Sequence, residues 1–395
     1  MPKEKPMKHW LTLGLIMSVA VLSDAGAQAY LPKTDDEIVE VLPARGDSWL
    51  EIRYLRKQVA AQPNDLEPAL ALVRRYIELG RAESDPRYFG YAEAALTPWL
   101  VVAQPSAEVL TLRATLFQNR HEFPAALDYL NRALARQPRL AQAWLTRAAI
   151  LEVQGQHAAA LNSCLPLLKL AEPLIGQVCL NSILSVSGQL DAAYRQLAGA
   201  TTTAQSAAQP DKQWALTTLA EMAERLGKVD AAEQYYRQAL QLQRRNGYLL
   251  ATYADFLLDQ KRYTDVVALL GNDTRADGLL LRLTLAEKGL QLPTTNGHID
   301  ALTARFAASR MRGDTSHQGD EARFLLHVLN QPEPALALAQ TNWAVQREPR
   351  DARILLEAAV ASGKTQQPLL IFLAESKLQD ARLQTLLAQI NGDRA

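Results

Sequence analysis

Cysteine occurs only twice in this chain of 395 residues, and aromatic residues make up just 6%. Two cysteines are too few for a disulfide-dense scaffold or a four-thiolate zinc centre. No CxxC pair is present for dithiol redox chemistry. An excess of one charge is also lacking: basic and acidic residues number 42 each, so a nucleic acid or an anionic membrane surface has no electrostatic footprint to meet. HExxH, GxSxG, P-loop and GxGxxG patterns are all missing, which leaves hydrolase, zinc and nucleotide readings without a starting point. Apolar alternation of period two, the mark of a half-buried strand, is found nowhere.

What is present begins with a distinct N-terminus. Lys3, Lys5 and Lys8 precede an apolar run from Trp10 to Leu22, and small residues follow up to Ala27-Gln28-Ala29. A run of about 13 residues is too short to span a bilayer, which takes roughly 20. With a basic start and an A-x-A ending it reads as a secretion signal cleaved after Ala29. The mature chain, with 39 basic and 40 acidic residues, is then expected in a periplasm or outside the cell, with no membrane span left. Residues 30–46, holding Pro32, Pro43 and Gly46, read as an extended lead-in.

From residue 47 onward a phrase of two helices returns about every 34 residues. One copy runs Leu110, Ala114, Phe117, Ala126, Leu130, Ala133 and Pro138. The next has Trp144, Ala148, Leu151, Gly155, Ala160, Cys164 and Leu167. A later one has Leu216, Leu219, Ala220, Ala223, Gly227, Ala232, Tyr236 and Ala239. Repeats of this length predict a solenoid, which buries its core only by stacking neighbours. The small residues let paired helices approach closely, and glycines such as Gly155, Gly188, Gly227 and Gly363 suit the left-handed residue that ends a helix. The phrase covers 47–270, weakens over 271–320 and resumes over 321–395. Longer connections interrupt it near 81–88 and 199–210. Cys164 and Cys179 fall on helices that stack as neighbours, open either to a disulfide or to two buried thiols.

In its order of bulky, small, aromatic, Gly, Ala and Pro positions the chain resembles the tetratricopeptide repeat (TPR) proteins. Asn181 stands where a small residue is usual, and His121 and Lys261 replace the turn glycine. The resemblance implies an all-α, right-handed helical solenoid of antiparallel helix pairs. It also implies a concave groove lined by the first helix of each pair. Carried over position by position, the groove holds Thr111, Thr115, Gln118, Asn119, Leu145 and Glu152, then Glu221, Glu224, Tyr248, Asp255 and Asp259. The early part is amide-rich, with Glu152 its one acid, and the later part acidic. The Lys, Asn and Arg set with which some TPR proteins hold a peptide carboxylate is lacking, so a basic segment of a protein partner is the better expectation.

The most polar cluster, Arg312 to Glu321, brings His317 near Asp314, Asp320 and Glu321 in sequence. Its flanking Gly313 and Gly319 and its loose spacing fit a solvated loop before a helix better than a metal site. The expectation is therefore an exported, non-catalytic scaffold for a protein partner, using no cofactor. A metal-handling or enzymatic accessory protein that uses residues 271–320 is one alternative. A self-assembling repeat protein is another.

Overall fold

The computed structural model describes residues 34, 47–242, 245–271 and 273–392. The expected signal segment, with its cleavage point at Ala29, and nearly all of the lead-in lie outside the described residues. Inter-residue contacts separate Met1–Asp47 from Ser48–Ala395, and the helical body is the second of these units.

Among the described residues every regular element is helical. A first helix, Asp47–Ala61, precedes eight pairs, with one short extra helix, Leu167–Leu170, between the third and the fourth. Pair 1 is Leu66–Glu83 with Arg87–Leu100, pair 2 Ala107–Asn119 with Phe123–Arg136, and pair 3 Ala141–Val153 with His157–Cys164. Pair 4 is Pro173–Val186 with Leu190–Thr203, pair 5 Gln209–Arg225 with Val229–Gln241, and pair 6 Gly247–Asp259 with Tyr263–Leu270. Pair 7 joins Asp277–Leu290 to Thr295–Met311; pair 8 joins Gln318–Arg323, continued as a π-helix over Phe324–Val328, to Pro332–Val345. Three more helices come after them: Pro349–Ala361, Gln367–Ser376 and Ala381–Gly392. This is a TPR-like solenoid of helix pairs.

The repeated alanines explain the pairing. Ala114, Ala126, Ala160, Ala193, Ala220 and Ala232 have no exposed surface, and Ala148 has almost none. A side chain no larger than a methyl at these positions brings two helices within packing distance. Larger neighbours such as Leu130, Leu197 and Tyr236, equally buried, then fill the space on either side. Ser106, Asp65 and Asn246 cap helix starts by accepting backbone N–H bonds.

The turns within pairs keep one geometry through a change of residue. Gly155, Gly188 and Gly227 sit at φ of 72°, 87° and 72°, while His121 and Lys261, in the equivalent places, take 59° and 56°. The left-handed conformation is therefore set by the packing of the pair and imposed even on residues for which it is uncommon.

The interruptions are shorter than the sequence suggests. Much of 199–210 is helix: Leu190–Thr203 runs on through Gly199. The hydroxyls of Thr201, Thr202 and Thr203 donate to carbonyls three or four residues back. Likewise Leu66–Glu83 extends two residues past Arg81 and ends on Ser84 in the left-handed region. The solenoid also meets itself: Arg245, just before pair 6, pairs with Glu83 of pair 1 at 3.2 Å. A Cβ on Gly247 would lie 2.1 Å from the Ser84 hydroxyl oxygen. Any larger residue at 247 would force the Ser84 hydroxyl to turn away.

Candidate partner-binding interior

The first helices of pairs 2 to 6 carry the residues expected to face a partner, and their surroundings divide them into three groups. Thr111 and Thr115 are buried, and their hydroxyls donate to the Ala107 and Thr111 carbonyls of their own helix. They present no donor outward. Leu145 is half-buried and packs on the cluster around Cys164 and Cys179, so it belongs to the core. Gln118 is half-buried and Asn119 exposed at the end of the same helix.

The second group is acidic and engaged from within the chain. Asp255 accepts from Arg282 at 2.8 Å and also from Arg323. Burial alone would raise its carboxyl, but the two guanidinium groups overturn that effect and hold it down at about 2. Asp259 accepts two parallel bonds from Arg353, at 2.6 and 2.7 Å, the bidentate geometry that suits guanidinium and carboxylate. Glu224 accepts from the buried Tyr236 hydroxyl and from Arg382 at 2.6 Å. Arg382 also lies 3.6 Å from Asp259 and 2.9 Å from Asp380. These arginines follow residue 280, far from their acids in sequence: Arg353 is 94 positions from Asp259, and Arg382 is 158 from Glu224.

The third group has no guanidinium bonded to it. Glu152 accepts from the Ser182 hydroxyl at 2.6 Å. Burial, with the charges of Glu348 and Glu221 nearby, pushes its carboxyl up to about 7. Glu221 accepts from the Tyr248 hydroxyl at 2.5 Å and is likewise raised by burial. Tyr248 remains 44% exposed, and the Arg350 guanidinium lies 5.9 Å from its ring. Glu152, Glu221 and Tyr248 thus come from pairs 3, 5 and 6 to one interior, which Glu348 and Arg350 enter from the far end of the chain.

The C-terminal helices reach this region by crossing the turns of pairs 2 to 5. Gln346 bonds to His121 at 3.3 Å, where burial, then Arg350, lowers the imidazole to about 4. The Arg347 N–H donates to the Val153 carbonyl at 2.7 Å. Phe372 lies over Gly155, where a Cβ would stand 2.7 Å from its ring, and 6.0 Å from His157. Lys377 covers Gly188, and Ala381 lies beside Gly227. No periodicity signals these contacts; the one hint in the sequence is the arginines of the C-terminal quarter set against an acidic run of first helices.

Two other clusters resolve simply. A disulfide joins Cys164 and Cys179 across pairs 3 and 4, with Cα atoms 5.7 Å apart. The polar residues around His317 disperse: Asp314 caps Ser316, Asp320 bonds to Arg282, and the buried Glu321 pairs with Arg310. Among the described residues no three His, Cys, Asp or Glu side chains are grouped to hold a metal ion. No described helix is long and apolar enough to cross a membrane.

No family model and no curated protein matches the chain. Solved structures that resemble it at low identity include three helical proteins. The APC/C hetero-tetramer Cut9–Hcn1 is 15% identical over 80% of this chain and 53% of that one, with a TM-score of 0.41. The chain thus spans about half the length of that protein. A Rap protein complexed with competence and sporulation factor is 14% identical over 87% of this chain and 97% of that one, at 0.46. The TPR domain of P58(IPK) is 15% identical over 82% and 100%, at 0.19. The fold assignment rests on the helix pairs and their buried alanines rather than on these scores.

Proposed function

We propose that this chain is an exported, non-catalytic TPR scaffold that binds a protein partner through a basic segment. The observation that carries the reading is the run of carboxylates along successive first helices: Glu152, Glu221, Glu224, Asp255 and Asp259. Three of them already take up guanidinium groups of the same chain, so the surface has the geometry to recognise such groups. Glu152 and Glu221 are bonded only to hydroxyls and stand ready for a partner's cation. Repeat solenoids present broad inner surfaces of this kind, and an extended or helical segment is the occupant they fit.

Export rests on the basic and apolar N-terminus with Ala27-Gln28-Ala29, and the Cys164–Cys179 bridge supports it, because such bonds persist in oxidising compartments. An envelope assembly is the proposed setting. Two measurements test the reading. Residues 1–46 fused to a reporter active only outside the cytoplasm should give signal; an inactive fusion would remove the export claim. Full-length protein carrying Glu152→Lys and Glu221→Lys, checked for fold by circular dichroism, should lose a partner that wild type retains. Equal retention by both would contradict the acidic site.

A further inference from the structure

The carboxylates expected to receive a partner are partly occupied, and the way they are occupied is informative. Among the described residues, the buried apolar clusters do not join the two ends of the helical body. Those of the early pairs draw on residues up to Ala286, and one bridging cluster joins pairs 7 and 8. The cluster of the C-terminal helices contains only residues from Ala322 onward. Where these helices return to pairs 2 to 6, the contact is made mainly by ion pairs, single hydrogen bonds and side chains laid on glycine turns, Phe372 on Gly155, Lys377 on Gly188 and Ala381 beside Gly227. Arg353 holds Asp259, Arg382 holds Glu224, and Gln346 meets His121. One backbone bond crosses, from Arg347 to Val153. The arginine side of each pair stays partly open to water, Arg353 and Arg382 keeping 27% and 30% of their side-chain surface, while Asp259 and Glu224 keep 18% and 9%. An interface built this way resembles a transient one between domains rather than a continuous core.

We infer that the C-terminal part of the chain, residues 322–392 that share one apolar cluster, is a reversible autoinhibitory clasp: Arg353 and Arg382 occupy Asp259 and Glu224 as a stand-in for the guanidinium groups of an external partner. The clasp rests on the basic-partner reading and adds what competes with the partner. In the closed form two of the carboxylates are taken, and the partner must displace the chain's own arginines. Its apparent affinity is therefore reduced by the fraction of molecules that are open. The same contacts specify the partner's chemistry: a segment presenting at least two guanidinium groups, spaced to reach the ends of the first helices of pairs 5 and 6, where Glu224 and Asp259 lie.

Two readouts on the full chain separate the clasp from the partner reading. The first is hydrogen exchange at the Arg347 amide, which opens only when the clasp does, compared with the Leu355 amide inside the C-terminal cluster. Arg353→Ala with Arg382→Ala should speed exchange at Arg347 at least tenfold and leave Leu355 unchanged. Raised salt should move wild type the same way by a smaller factor. Exchange at Arg347 and Leu355 that always moves together would overturn the clasp. The second is fluorescence anisotropy of labelled nona-arginine peptide. The double arginine variant should bind it at least tenfold more tightly than wild type, and adding Glu224→Gln with Asp259→Asn should abolish the gain. If Arg347 exchange accelerates but binding does not improve, the clasp stands and the basic-partner reading falls.

Discussion

Pairs 1 to 6 and the C-terminal helices are made of the same repeated phrase, yet they are held in opposite ways. Within the early pairs, fully buried alanines and large apolar side chains interlock from one pair to the next: Ala232, Tyr236, Ala254 and Phe256 share a cluster with residues of pairs 5, 6 and 7. Between those pairs and the returning C-terminal helices, arginines meet carboxylates across 94 or more positions. Apolar burial is non-directional and scales with the area removed from water. Ion pairs of partly exposed groups are directional and contribute modestly. The first kind of contact builds a body and the second kind closes it, so the two should respond differently to the same perturbations.

The largest difference should come from the interlocked side. Tyr236 is fully buried, stacks on Tyr253 at 5.1 Å and donates to Glu224. Tyr236→Ala should cost about 3–5 kcal/mol in denaturant unfolding, with the loss of one of the two donors to Glu224 adding to it. Replacing Cys164 and Cys179 together by Ser should cost about 3 kcal/mol, since the bridge closes a loop of separation 15. The same drop should follow reduction of the wild type. On the closing side, Arg382→Ala should cost only about 2 kcal/mol. Exchange at the Arg347 amide should reveal it before any shift in global unfolding.

The last effect concerns pH. The Glu152 carboxyl is raised to about 7 in the folded chain, against an ordinary value near 4.3 in the unfolded one. Between those values the folded state holds the proton more tightly, so this group favours folding at the acid end. Its contribution is lost as pH rises through 7. Glu152→Gln should flatten the fall in Tm between pH 5 and pH 8. An unchanged slope would show that Glu152 titrates normally.

The sequence makes the body legible and leaves its closure hidden, for a physical reason. Pairing depends on residues three or four apart on one helix and on a partner position twelve residues on, so Ala114 with Ala126, or Ala220 with Ala232, can be read directly. How a solenoid turns is set by small rotations summed over many pairs. That sum decides whether Arg382 meets Glu224, and no local pattern records it. The resemblance to TPR proteins nominated Thr111, Thr115 and Leu145 alongside the acidic run, and all of them lie on first helices. The side chains of those three turn out to bond to their own helix or pack in the core. Position within a repeat says which face a residue lies on; only the neighbouring pairs decide whether that face is open.

The central claim is that the end of the chain returns onto the turns of the early pairs, and a designed cross-link tests it most directly. A Cβ built on Gly227 lies 4.0 Å from the Ala381 Cβ, within the range a disulfide bridges. Gly227→Cys with Ala381→Cys should form an intramolecular bond on mild oxidation, seen as faster migration on a non-reducing gel and reversed by reductant. Oxidation that gives only cross-linked dimers, or leaves both thiols free in the folded protein, would contradict the account.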